Sequence, residues 1–188
     1  MKIAYIIPGF RESTKQEKYK KITRGLRKKG FIPINVKIKW KYKTMSNYVN
    51  QFLKKYQHHD NQSCIIIGFS FGAMIAFIVS SKINVKEIFL CSLSPYFKED
   101  LPRLKKTWKR DVGKKRIKAL ENYSFGTIGK KIKCKITFLA GAKEGNIILK
   151  RINEAGKKLS NGKVYIIKDV GHDISNEKYL NELLKKIK

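Results

Sequence analysis

The pentapeptide Gly68-Phe69-Ser70-Phe71-Gly72 is the sharpest chemical feature of the chain. It fits G-x-S-x-G, a pattern expected by chance in roughly one chain in twenty of this length at ordinary glycine usage. Its flanks make it more specific. Apolar Cys64-Ile65-Ile66-Ile67 leads in and Ala73-Met74-Ile75-Ala76-Phe77 leads out, so the serine belongs on a tight turn between a buried strand and a buried helix. Such a turn strains the serine backbone and projects its hydroxyl over the sheet, while the glycines let strand and helix crowd together. The helix N-terminus beneath favours developing negative charge. A phosphate-binding turn or a plain tight turn is the competing reading of the same residues.

A serine hydroxyl becomes a nucleophile only beside a base that a third group orients. Of the three histidines, His58 and His59 precede the strand that ends at Ser70. A strand of 5–6 residues places them about 17–20 Å from its other end. His172, in Asp169-Val170-Gly171-His172-Asp173, follows the last strand-like run and can face Ser70. The orienting carboxylate should also follow a strand. Glu144, in Gly141-Ala142-Lys143-Glu144-Gly145-Asn146, is the first choice and Asp100 the weaker one. An ion pair or the N-terminal acid of the next helix is the competing reading of Glu144. Asp169 and Asp173 stand too near His172 in the chain to be preferred. With no Cys/His cluster at metal-ligand spacing and no dinucleotide fingerprint, neither a metal nor another cofactor is expected.

These residues need a frame. Strand-like runs over Lys2–Ile7, Phe31–Lys39, Ser63–Phe69, Glu87–Ser92, Lys133–Ala140 and Lys163–Lys168 alternate with helical patterns over Thr14–Lys29, Met45–Tyr56, Phe71–Ser81, Ile147–Leu159 and Asn176–Ile187. Ser13 is the expected N-cap of the first helix, with Gln16 in the capping-box position. Pro33 suits a strand near the sheet edge, and the continuous apolar run at 63–69 suits a central one. The alternation predicts an α/β fold, a parallel six-stranded sheet with helices on both faces. Ligands of such sheets sit at the carboxyl ends of the strands. Residues 93–132 interrupt the alternation as a long excursion. Within it, Leu101, Leu104, Trp108 and Val112 at spacings of three and four predict an amphipathic helix.

A chain of 188 residues fits one domain, 1–188, and can bury enough apolar surface to need no disulfide or metal. At 42% hydrophobic it is not a disordered chain. Its apolar runs fall well short of the ~18 residues of a membrane span, and its N-terminus reads as a strand rather than a signal peptide. Cys64, Cys91 and Cys134 fall in or beside strands, as reduced core residues of a cytoplasmic protein would. The formal charge is +29, from 43 Lys+Arg against 14 Asp+Glu. It is uneven: residues 98–135 carry 14 basic side chains and residues 61–97 only 2. Basic residues interleaved with Trp108 also fit a nucleic-acid or anionic surface, although solvated helix faces explain them more simply.

The order Ser70, Glu144, His172, each after a later strand, resembles the α/β-hydrolase superfamily over nearly the whole chain. The resemblance implies a three-layer sandwich and a serine hydrolase acting on an ester or thioester. It makes Ser70 the nucleophile, His172 the base and Glu144 its partner. Ile7-Pro8-Gly9-Phe10 matches the family's oxyanion turn, so the backbone N–H groups of Phe10 and Phe71 would hold the oxyanion. Pro8 stands where that family often has histidine, and Glu144 where aspartate is commoner. The excursion would serve as a lid, with Tyr96, Phe97 and Trp108 as substrate contacts. The partner implied is a small ester or thioester, anionic if the lysines attract it. The rival reading is an idle hydrolase scaffold that binds nucleic acid or another anion, and the complete triad weighs against it.

Overall fold

The computed structural model describes residues 1–56 and 63–188. His58 and His59 lie outside the described residues.

Six strands, β1 (Lys2–Ile7), β2 (Phe31–Asn35), β3 (Cys64–Phe69), β4 (Glu87–Cys91), β5 (Lys135–Gly141) and β6 (Gly162–Ile167), form one sheet in the order β2-β1-β3-β4-β5-β6. Every neighbouring pair is parallel. The chain steps outward from β1 to β2 and then returns to the far side of β1 as β3. The order therefore reverses between β1 and β3, and the carboxyl ends of those two strands flank the crevice where open α/β sheets bind ligands. β2 and β6 are the edge strands, and β2 carries Pro33 opposite Ala4.

Alternation along the strands divides the core in two. Ile3, Tyr5 and Ile7 of β1 face one layer with Cys64 and Ile66 of β3, while Ala4, Ile6, Ile65, Ile67 and Phe69 face the other. Helices α1 (Glu17–Lys28) and α8 (Glu177–Lys186) cover the second face through Tyr19, Ile22, Leu26, Tyr179 and Leu183. Helices α2 (Met45–Leu53), α3 (Phe71–Val79) and α7 (Asn146–Lys158) cover the first. Every residue of α3 is buried, as its unbroken apolar sequence requires. The result is the expected α/β sandwich.

Residues between β4 and β5 fold as a 3₁₀ turn (Leu101–Arg103) and three short helices, α4 (Lys106–Val112), α5 (Lys114–Leu120) and α6 (Phe125–Gly129). The helix expected over Leu101–Val112 is broken. Leu104 and Lys105 are extended (ψ 136° and 146°), which turns Leu104 into the core and leaves Trp108 only half-buried. The excursion is tied down at both ends of its basic run. Asp100 forms a buried bidentate pair with Arg151 of α7, with Nε 2.9 Å from Oδ2. Arg116 donates to the carbonyls of Lys43, Trp40 and Val112 and to the Tyr48 hydroxyl, each at 3.0 Å.

Three local expectations need correction. Ser13 does not cap α1: its hydroxyl accepts the Lys15 N–H in a turn of its own, and the helix begins after an extended Gln16 whose side chain makes no cap bond. The strand expected over Phe31–Lys39 pairs only to Asn35, beyond which β1 offers the single bond from Val36 N–H to the Ile6 carbonyl. α2 stops at Leu53 rather than Tyr56. Among the described residues, no helix is long and apolar enough to cross a membrane.

Candidate active site

Ser70 follows β3 directly and opens α3, with φ 54° and ψ −115°. A non-glycine residue adopts this conformation only where its surroundings hold it there. The glycines show why no other residues serve. A Cβ on Gly68 would lie 2.4 Å from the Gly72 carbonyl oxygen, and one on Gly72 would lie 2.4 Å from that of Pro8. Strand, helix and the turn after β1 thus meet around Ser70 at backbone contact distance.

His172 reaches Ser70 from the loop after β6, with Nε2 3.0 Å from Oγ. Its Nδ1 lies 2.8 Å from Glu144 Oε2. With Nδ1–H donating to the carboxylate, Nε2 is left as the acceptor for the serine hydroxyl. The Glu144 side chain is fully buried, and its other oxygen accepts the Gly141 N–H at 2.8 Å and the Ser92 hydroxyl at 2.6 Å. The loops carrying Glu144 and His172 are bound together, Lys143 N–H donating to the Val170 carbonyl at 2.8 Å. That approach excludes any side chain at Gly141, whose Cβ would lie 2.1 Å from the same oxygen. Phe69 packs against the imidazole with ring centroids 5.0 Å apart.

Of the other carboxylates weighed in the sequence, none faces His172 in this way. Asp100 is engaged by Arg151. Asp169 pairs with Lys143 at 3.8 Å. Asp173 accepts the Ser175 hydroxyl and N–H at 2.6 and 2.8 Å, and the hydroxyl bond above all holds its carboxyl below the usual range.

The N–H groups of Phe10 and Phe71 have no acceptor among the described residues, and both residues line the cleft beside Ser70. The turn that carries Phe10 is braced from behind. The Gly9 N–H donates to the Tyr19 hydroxyl at 2.8 Å, and that hydroxyl donates to Glu12. Glu12 also holds Lys18 at 2.5 Å, and its carbonyl accepts the Trp40 indole N–H at 3.0 Å. Burial, reinforced by Glu12, pushes the Tyr19 phenol far up, so it remains a neutral donor.

The cleft has a volume of about 360 Å³. Tyr96, Trp108, Val112 and Ile148 give it an apolar wall, and Asp111 stands on its rim. Burial pushes the Tyr96 phenol up to about 12. Phe97, expected here, is elsewhere. It is fully buried in an aromatic cluster, 5.4 Å from Phe77 and 5.2 Å from Phe125 between ring centroids. Phe97 opens the turn closed by Asp100, whose carboxylate accepts the Phe97 N–H at 3.2 Å, and its ring is turned into the core while Tyr96 lines the cleft.

Three residues of this site, Ser92, Ser94 and Tyr179, carry no signal in the sequence. Ser94 places its hydroxyl 3.0 Å from Ser70 Oγ. Ser92, at φ 51°, donates to Glu144, and the Tyr179 hydroxyl, 3.0 Å from Ser92 Oγ, donates to the Leu139 carbonyl at 2.8 Å. Both serines follow β4, so the carboxyl-end rule that selected Glu144 and His172 covers them too. Among the described residues, no group of three or more His, Cys, Asp or Glu side chains could hold a metal ion.

No protein-family model and no curated protein sequence matches the chain. Solved structures do. Est1E from Butyrivibrio proteoclasticus is similar over 98% of this chain and 86% of its own, with a TM-score of 0.81 at 14% identity. An esterase (EaEST) from Exiguobacterium antarcticum is similar over 100% of this chain and 90% of its own, with a TM-score of 0.73 at 11% identity. The mouse alpha/beta hydrolase domain-containing protein 10 is similar over 98% of this chain and 87% of its own, with a TM-score of 0.72 at 12% identity.

Proposed function

We propose that this chain, which has the α/β-hydrolase fold, is a serine hydrolase that cleaves a carboxylic ester or thioester through an acyl-enzyme on Ser70. The observation that carries the reading is the unbroken line from Ser70 Oγ to His172 Nε2 (3.0 Å) and from His172 Nδ1 to Glu144 (2.8 Å). It ends at a serine held in a left-handed turn.

In this reading the Ser70 oxygen attacks the acyl carbon while its proton passes to His172 Nε2. The imidazolium so formed is stabilised by Glu144. The carbonyl oxygen becomes an oxyanion and takes the N–H groups of Phe10 and Phe71, donors worth about 3–4 kcal/mol each in such transition states. Collapse expels the alcohol or thiol, which receives the proton from His172. Water then attacks the acyl-serine by the same route in reverse, with His172 again as base. Residues 93–132 act as wall and lid, with Tyr96 and Trp108 against the acyl group. The esterases among the similar folds support ester substrates.

Labelling with an active-site-directed fluorophosphonate tests the assignment. The native protein should be labelled and the Ser70→Ala variant should not. Equal labelling of both, or of neither, sinks it. Turnover of p-nitrophenyl esters of increasing chain length beside an acyl-coenzyme A series then separates ester from thioester chemistry.

A further inference from the structure

A second cavity adjoins the cleft across a single side chain. It measures about 550 Å³ and is lined by Arg11, Trp40, Lys41, Tyr42 and Arg116. No carboxylate lines it. Arg11 and Lys41 have no acidic partner among the described residues. Arg116 is locked by its bonds to three backbone carbonyls and Tyr48, so it presents a fixed positive charge with little entropy left to lose. Phe10 stands between this cavity and the cleft. Its ring lies 4.9 Å from the Arg11 guanidinium, 5.2 Å from that of Arg116 and 5.6 Å from the Trp40 ring.

The cavity also offers a ring surface. Tyr42 is 80% exposed, one of the few large apolar side chains so placed, and Lys41 Nζ lies 4.9 Å from its ring. Both Arg11 (φ 62°) and Tyr42 (φ 56°) are held in left-handed backbone. Such outliers persist where the surroundings over-determine them and cluster at ligand clamps. Cations without acids select phosphate, and an exposed aromatic face selects a planar ring.

We infer that this cavity takes the phosphate-bearing, ring-carrying part of the substrate, a nucleotide that carries the acyl group, while the acyl group itself enters the cleft at Ser70. The inference rests on the hydrolase reading for the second half of that statement only. Of the other basic cavities, the one of about 250 Å³ lined by Arg103, Lys105 and Trp108 has its arginine paired with Glu154 at 3.4 Å, and two more lack a ring. The groove between α4 and α5, lined by Lys106, Lys109, Arg110, Lys114 and Lys118, has Glu121 in it and no aromatic residue. The groove along α2 is lined by Lys39, Lys43 and Lys54 with amide side chains and no ring.

Calorimetric titration of the full chain with ADP tests the site independently of activity. ADP should bind the native protein and the Ser70→Ala variant alike, and inorganic phosphate or adenosine alone should bind at least about tenfold more weakly. Lys41→Glu and Tyr42→Ala, both at exposed positions, should each raise the ADP Kd about tenfold, the fold-change expected for one charge-assisted bond or one stacked ring. Lys118→Glu, the same charge change in the other groove, should leave it within about twofold. Thermal melts report whether each variant is folded. Absence of ADP binding overturns the inference. So does an equal loss in Lys118→Glu, which would mean surface charge alone, or phosphate binding as tightly as ADP. Tighter binding of single-stranded RNA than of ADP, lost in Lys118→Glu, would assign the surface to nucleic acid instead. Fluorophosphonate labelling of Ser70 decides the hydrolase reading separately.

Discussion

The Ser92 hydroxyl donates to Glu144 Oε1 across 2.6 Å, from the end of β4 to the loop after β5. Glu144 thereby receives three donors, the others being the Gly141 N–H and the His172 ring. Its carboxylate cannot rotate away from the imidazole without breaking two of them. The Tyr179 hydroxyl of α8 lies 3.0 Å from Ser92 Oγ and donates to the Leu139 carbonyl, and burial keeps that phenol neutral.

Ser92 should therefore act as a positioning residue. A hydroxyl bonded to a carboxylate is worth about 1.5–3 kcal/mol, and the loss should fall on the chemical step. Ser92→Ala should lower kcat about tenfold or more with KM within about twofold. Ser92→Gly should lose as much activity but melt higher than the alanine variant, because φ 51° suits glycine. Steady-state kinetics with one ester and thermal melts of both variants check this. Native kcat in Ser92→Ala would refute it.

Backbone proximity makes a second set of outcomes unequal. Ala at Gly68 or Gly72 puts a methyl 2.4 Å from a carbonyl oxygen, and no flexible side chain can give way. Each should cost at least about 3 kcal/mol, the upper range for overpacking. Gly171, beside His172, has nothing within 4 Å of where a Cβ would be. Gly171→Ala should stay within about 0.5 kcal/mol of the native protein or gain slightly through the unfolded chain. Urea unfolding of the three variants measures the contrast.

The Ser70 turn is legible because an apolar strand, a glycine pair and an apolar helix are all local features. Glu144 and His172 followed from one topological rule, that sites gather at the carboxyl ends of strands. Ser92 and Ser94 obey the same rule, but a serine has no periodicity or charge to mark it. Their role depends on β4 standing between β3 and β5, a neighbour relation absent from local sequence. Asp100 stayed ambiguous for a similar reason, its partner Arg151 being 51 residues away. Phe97 read as a cleft residue because an aromatic pair beside a proline does not say which ring turns inward.

The Asp100–Arg151 pair supports the excursion, and both side chains are nearly inaccessible, at 3% and 2%. Burial pushes the Asp100 carboxyl up even against Arg151 and the Phe97 N–H. Such a pair adds little net stability, whereas breaking it strands a buried charge. Arg151→Met or Asp100→Leu alone should cost about 3–5 kcal/mol, and the double variant should recover most of that loss. A double-mutant cycle in urea gives the coupling directly. Additive losses would mean that the pair is not the tie.

Cys134 provides a pH test of how the excursion closes over β5. Burial pushes its thiol from 9.0 up to about 12, and that of Cys64 likewise. The sign follows from which state holds the proton. Below pH 9 folded and unfolded chains both carry neutral thiols, and the stabilising contribution is complete. Between pH 9 and about 12 the unfolded chain ionises while the folded one keeps its protons, so the contribution is lost as pH rises. Since only the thiolate reacts, alkylation of the half-buried Cys134 in the native protein should keep rising about tenfold per pH unit from 8 to 11. In denaturant the same rate should level off near 9. Cys134→Ala should remove the native phase, and a native plateau near pH 9 would show that the thiol is not shielded there.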